Sequence, residues 1–138
     1  MTVTRAVFFT LGLCLAGCAA VPNSAPPASS VEQPTFSETG AASWYGRKHQ
    51  GQKTAQGERF DMNKLTAAHR TLPLNTTVRV TNMANRKSVK VRINDRGPFV
   101  KARIIDLSAR AARELEIAED GTAEVRLEVF ASDQAGAE

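Results

Sequence analysis

Residues 78–98 read VRVTNMANRKSVKVRINDRGP, and their pattern decides the fold class. Val78-Arg79-Val80-Thr81 alternates apolar and polar, Met83-Ala84-Asn85-Arg86 makes a turn, and Val89-Lys90-Val91-Arg92-Ile93 alternates again. A period of two puts one set of side chains in a core and the other in water, the mark of strands in an antiparallel sheet or small barrel. Lys90 and Arg92 fall on the polar side and read as a solvated strand face. Gly97-Pro98 then stops the strand with a strong turn signal. Val125-Arg126-Leu127-Glu128-Val129 repeats the alternation near the end of the chain. One helix stands out, with Ser108 as N-cap ahead of Ala109, Ala111, Ala112 and Leu115. Glu119-Asp120-Gly121 turns the chain into the last strand. Short strands with a single helix predict a mostly-β barrel.

The barrel is expected over residues 40–131, with a disordered tail over 132–138. Upstream, residues 18–39 hold Pro22, Pro26, Pro27 and Pro34 among Ser, Ala and Asn, and read as a tether. Residues 1–17 read as an export signal: Arg5 is followed by an apolar run, Ala6 to Ala16, too short to span a bilayer. The run ends in Leu15-Ala16-Gly17-Cys18, which resembles the bacterial lipobox, so Cys18 is expected to be lipidated and to become the new N-terminus. An ordinary signal peptide with an incidental Cys is the alternative, and it leaves the agreement of all four residue types unexplained. Ala19 stands where similar lipoproteins carry the Asp of inner-membrane retention, so the expected location is the outer membrane, facing the periplasm. Cys14 leaves with the signal, and no Cys remains for a disulfide.

The 138-residue chain carries a formal net charge of +4, unevenly spread. Arg47 to Arg103 contains fourteen Lys and Arg against three acids, Glu58, Asp61 and Asp95, and from Ile104 onward three Arg face nine acids. A basic face attracts polyanions such as nucleic acid, anionic lipid or wall polymer. Charge alone allows nucleic acid, but the export signal argues against it as the partner. There is no internal repeat and no nucleotide-binding glycine pattern. With two His and no Cys pair, the sequence implies neither a metal site nor a cofactor.

Three segments carry more special residues than a strand needs. Thr54-Ala55-Gln56-Gly57-Glu58 puts an acid just after a glycine that can bend the backbone. Ala67-Ala68-His69 ends an apolar run in an imidazole. Asn94-Asp95-Arg96-Gly97-Pro98-Phe99 follows the alternating strand. Each has a bland reading: Asp95 as a turn residue bonding its own backbone, Glu58 as an exposed loop acid, His69 as a buried structural His.

Together with Ala42-Ser43-Trp44-Tyr45-Gly46, Leu72-Pro73-Leu74 and Ile105-Asp106-Leu107-Ser108, these segments occur in the order seen in the rare lipoprotein A family, which the chain resembles from Ala41 to Phe130. The resemblance implies a six-stranded double-psi β-barrel with one or two short helices. It also implies a peptidoglycan lytic transglycosylase, cutting the β-1,4 bond between N-acetylmuramic acid and N-acetylglucosamine and leaving a 1,6-anhydro end. Carried over by motif, Asp95 and Glu58 are the catalytic acids and His69 supports them. The partner it implies is the peptidoglycan glycan strand, with peptide-stripped strands the expected form although the sequence itself does not specify stripping, and the membrane is expected to be held through lipid on Cys18.

Cleavage needs a proton for the leaving oxygen and a base for the sugar's own 6-hydroxyl, and one carboxyl can serve both in turn. Asp95 is expected to do so, with Glu58 orienting sugar or stabilising positive charge, although the roles are exchangeable. Arg96 beside Asp95 would favour the ionised form unless it points to Asp106 or to substrate. Thr54, Arg96, Trp44 and Tyr45 are the expected substrate contacts. Trp44 and Tyr45 adjoin on an extended segment and should face opposite ways, with Tyr45 in the groove. The chain departs from the family at Lys48-His49-Gln50, where an aromatic is common, and at Gln56, where Asn or Ser is usual. It shows no sporulation-related repeat after Phe130, so septal targeting is not carried over. The rival readings are an expansin-like glycan-binding module without catalysis, and a tether between membrane and wall.

Overall fold

A computed structural model describes residues 31–135, together with Gly12 and Gly17. The expected export signal apart from those glycines, the expected lipid site Cys18, the tether up to Ser30, and residues 136–138 lie outside the described residues.

Six strands close into one barrel in the order β1-β5-β2-β4-β3-β6. In chain order they are β1 Phe36–Tyr45, β2 Thr66–His69, β3 Thr77–Asn82, β4 Ser88–Asp95, β5 Arg103–Ser108 and β6 Thr122–Val129. Helix α1 (Ala109–Glu114) follows β5, and α2 (Ala131–Gln134) follows β6. The pairs β1–β5 and β2–β4 are parallel, and the other four are antiparallel. A tight hairpin joins only antiparallel strands, so each parallel pair requires the chain to cross over before returning. The result is the double-psi barrel.

The alternation in residues 78–98 works as read. Val78, Val80, Val89, Val91 and Ile93 point into the core, where they meet Ile105, Leu107, Val125 and Leu127. The hairpin turn between β3 and β4 is fastened by Asn82, whose Oδ1 accepts from Ala84 N and whose Nδ2 donates to Leu115 O. Ser108 caps α1 as expected: its Oγ accepts from Ala111 N and donates to Lys64 O at 2.6 Å. Ala109, Ala111 and Ala112 are small enough to seat that helix on the barrel, and all three are buried.

Two boundaries differ from the sequence reading. Strand β1 starts at Phe36, inside the expected tether, because Phe36 to Ser43 pairs with Val129 to Thr122 of β6. That backbone ladder supplies order which the local sequence lacks. Helix α2 occupies part of the expected disordered tail. Gln134 donates to Thr77 O and accepts from Thr77 N, and Asp133 lies 2.5 Å from Lys90 Nζ and 3.8 Å from Arg79.

Candidate active site

A cleft of about 770 Å³ lies over four adjacent strands, walled by the β1–β2 and β4–β5 connections. Its floor is one row of the sheet. Ser43 pairs with Asp106, Asp106 with Ala68, and Ala68 with Asp95, and all four line the cleft. Residues paired across strands share a face, so both acids point the same way. A register shift creates this row: Ala67 pairs with Ile93, yet Ala68 pairs with Asp95, leaving Asn94 as the extra residue of a bulge. Without the bulge Asn94 would oppose Ala68, so the irregularity aims Asp95 into the cleft.

Asp95 also anchors the wall beside it. Its Oδ1 accepts from Ala55 N at 2.9 Å and from Arg96 N at 2.8 Å. The other oxygen, Oδ2, has no hydrogen-bond partner among the described residues. Residues 54–58 form a closed turn, with Thr54 N donating to Glu58 O at 2.8 Å and Gly57 N to Thr54 O at 2.9 Å. Gly57 has φ +96°, which a side chain would resist, and Gln56 N docks the turn on Asn94 O. Thr54 lines the cleft, but its hydroxyl donates to Glu58 O, so it shapes the wall.

Glu58 and His69, expected beside Asp95, do not line the cleft. Glu58 Oε1 accepts from Arg92 Nη2 at 2.6 Å and Asn94 Nδ2 at 2.8 Å. The Asn94 bond first, and then Arg92, hold its carboxyl below the usual carboxylate range against the opposing effect of partial burial. Glu58 ties the turn to β4 by its side chain, beside Asn94, the chain neighbour of Asp95. Arg92 belongs to that tie, which corrects its reading as merely solvated, whereas Lys90 is exposed. His69 is buried at 3% exposure. Its Nδ1 accepts from Thr71 N and Leu72 N, which puts the proton on Nε2, 3.2 Å from Glu38 Oε2. The imidazole thereby holds the turn after β2. That turn in turn holds Arg96, whose Nη1 donates to His69 O and Leu72 O at 3.2 and 2.7 Å. The Arg96 guanidinium is thus directed to backbone carbonyls and forms no ion pair with Asp95.

Trp44 and Tyr45 both line the cleft, and neither is fully core. The Trp44 ring folds over Gly46, where an added Cβ would come within 2.8 Å of it, and packs against the core. Tyr45 packs on Phe60 and His49 with ring centroids 4.5 and 5.4 Å apart. Its hydroxyl is buried without a hydrogen-bond partner among the described residues. Burial first, and then the charges of Asp95 and Asp106, push the phenol upward, so it stays protonated and able to donate.

The sequence offered Asp106 only as an alternative partner for Arg96 and gave Phe99 no role. Phe99 is 90% exposed at the cleft rim, although the turn signal around it reads as plain loop. Asp106 sits between Ile105 and Leu107, so alternation turns it away from the core. Only the register with Ala68 reveals that it shares a face with Asp95.

The lytic transglycolase family model matches residues 37–127, nearly the whole barrel. The chain is 58% identical over 93 residues to the endolytic peptidoglycan transglycosylase RlpA of Neisseria meningitidis, covering 67% of this chain and 39% of that protein. It is 61% identical over 89 residues to the protein of that name from Pseudomonas aeruginosa, covering 64% and 26%. The chain thus spans well under half the length of these curated relatives. Among solved structures, a Streptomyces papain inhibitor superposes with TM-score 0.55 at 22% identity, covering 70% of this chain and 96% of that one. A point mutant of Clavibacter michiganensis expansin, in complex with cellohexaose, superposes with TM-score 0.53 at 16% identity, covering 68% and 50%. These two share the fold. The match to the family model and the identities above one half through the barrel establish that the chain belongs to the lytic transglycolase family, in the branch that contains the RlpA proteins.

Proposed function

We propose that the barrel is the catalytic domain of a peptidoglycan lytic transglycosylase, which cuts the β-1,4 bond between N-acetylmuramic acid and N-acetylglucosamine and closes a 1,6-anhydro ring. One observation carries the reading. A β-bulge aims Asp95 into a cleft, two backbone N–H groups fix one of its oxygens, and the other has no partner among the described residues. Such a carboxylate is positioned to take the proton of the 6-hydroxyl as that oxygen attacks C1. The 2-acetamido group of the same sugar can assist at C1 from the opposite side, and no cofactor is needed.

The cleft's charge supports an anionic strand as substrate. Arg47, Lys48, Lys53 and Arg103 line it, and a peptide-stripped strand exposes a free lactyl carboxylate on each muramic residue. Exposed Phe99 offers an aromatic face at the rim. The names of the relatives support the same substrate, and an expansin that shares the fold over half of its chain is known in complex with cellohexaose. Binding without cleavage is therefore the second reading.

Purified peptide-stripped strands separate the two when the products are read by mass spectrometry. Anhydro ends from the parent and none from Asp95→Asn support the enzyme. Retention of strands without anhydro product, unchanged in Asp95→Asn, moves the protein to the binding class.

Anchorage through lipid on Cys18, at the outer membrane and facing the periplasm, is part of the proposal. It rests on Leu15-Ala16-Gly17-Cys18 and Ala19. Labelling with a fatty-acid analogue tests it: label should enter the parent and be lost in Cys18→Ser.

A further inference from the structure

Asp95 is one of two acids on the cleft floor. Asp106 pairs with Ala68 from the other side, so the Cα atoms of the two acids stand two strand spacings apart, about 9–10 Å. Only the methyl group of Ala68 lies between them in the row. The surroundings of Asp106 differ from those of Asp95. Among the described residues no backbone N–H donates to it, and its Oδ1 is buried without a hydrogen bond. Arg103 Nε comes within 3.3 Å of that oxygen, near enough for an ion pair, yet the alignment makes no hydrogen bond and leaves both atoms unpartnered. The other oxygen, Oδ2, accepts only a long bond of 3.5 Å from Arg103 Nη2. So poor a pair does not offset the burial. Burial therefore pushes the Asp106 carboxyl upward, against the pull of Arg103, His49 and Arg70. Glu58 is driven the other way and stands outside the cleft.

We infer that Asp106 is the proton donor of the reaction and that it works opposite Asp95 across the Ala68 position. The inference rests on the transglycosylase reading above. Sugar geometry agrees with it: the leaving oxygen at C1 and the attacking 6-oxygen both lie on the β face of the muramic ring, so both carboxyls must approach from one side. The protonated Asp106 gives its proton to the glycosidic oxygen, the bond from C1 to that oxygen breaks, and its electron pair leaves with N-acetylglucosamine as a hydroxyl. The 6-oxygen forms the new bond to C1, and its proton passes to Asp95. Atoms balance without water, and exchange with solvent returns Asp106 to its acid form and Asp95 to its base form.

The test compares two substrates in the full chain: peptide-stripped strands, and a 4-methylumbelliferyl β-glycoside of the GlcNAc–MurNAc disaccharide, whose phenolate departs without protonation. Asp106→Asn should lose about 10²–10⁴-fold on strands, the usual worth of a general acid. On the aryl glycoside it should stay within about tenfold of the parent, a barrier change of at most about 1.4 kcal/mol. Asp95→Asn should fail on both. An Asp106→Asn protein as active as the parent on strands, or equally impaired on both substrates, overturns the inference.

Should Asp106→Asn fold poorly, the unaltered protein still decides. The groups facing Asp106 are Arg103 on its own strand, Tyr45 and His49 from β1 and the turn after it, Arg70 after β2, and Asp95 on β4. Activity on strands should fall with rising pH along a limb absent from the aryl glycoside profile. A shared limb overturns the inference. A parent that forms no anhydro ends removes the proposed function, whereas an active parent with an equally active Asp106→Asn removes this assignment alone.

Discussion

Replacing Asp95 by Asn and by Ala should separate what the residue holds together from what it does. Asn keeps an oxygen where Oδ1 accepts from Ala55 N and Arg96 N, so both hydrogen bonds persist as neutral ones. Hydrogen bonds to charged groups contribute about 1.5–3 kcal/mol and neutral ones about 0.5–1.5, and partial exposure shrinks the difference. A loss of about 1 kcal/mol is expected for Asn, or a fall in Tm of about 4–8 °C in a domain of this size. Ala removes the acceptor from both N–H groups. Water can replace it at the exposed Ala55 but less readily at the half-buried Arg96, so Ala should cost about 2–3 kcal/mol. Both variants should lose anhydro product equally, by about 10²–10⁴-fold. Thermal unfolding and product mass spectrometry on the same preparations read the two effects. An Ala variant as stable as Asn would show that Asp95 does not anchor the 54–58 turn, and an Asn variant with parent turnover would remove Asp95 from the chemistry.

Glu58→Gln should keep strand cleavage within about tenfold of the parent, at most about 1.4 kcal/mol in the barrier, because Glu58 ties a turn to β4. Its folded carboxyl is held below the ordinary value, so its contribution to stability is present above the unfolded value near 4.3 and is lost as pH falls through the folded one. Below pH 5 the Tm should therefore change less with pH in Glu58→Gln than in the parent, by a small amount because the pair is partly exposed. His69→Ala leaves Thr71 N and Leu72 N without their acceptor inside the protein, and should cost about 3 kcal/mol or more in a denaturant titration. Phe99→Ala should leave Tm unchanged and raise KM on strands about three- to tenfold, or about 0.7–1.4 kcal/mol.

Strands β3, β4 and β6 were legible because most of their inward residues are Val, Ile or Leu and most of their outward ones polar, Asn82 and Asn94 being the buried exceptions. Helix α1 was legible through the Ser108 cap. Strand β2 is Thr-Ala-Ala-His, poor in strand-forming residues and buried at every position. It is a strand because β4 and β5 flank it. The same dependence on partners hid the start of β1, which Val129 and its neighbours on β6 order. At the site, Asp95 was found from its motif, but the bulge that aims it arises from pairing between strands 27 positions apart, Ala68 with Asp95. Glu58 and His69 bear the residue types expected of catalysis, and the structure adds hydrogen bonds that fasten the 54–58 turn and the turn after β2. Nothing along the chain tells a carboxylate bound by Arg92 and Asn94 from one facing open space. Asp106 was unreadable for the same reason, since alternation gave its side of the sheet but not its neighbours.

Everything functional here depends on the protein performing an intramolecular ring closure. Incubating the full chain with peptide-stripped glycan in water enriched in ¹⁸O, and weighing the released fragments, tests this directly. The account predicts muramic ends that are lighter than hydrolysed ends by one water and free of the label. Labelled reducing ends would reveal a hydrolase, and uncut strands would reveal a protein that only holds glycan.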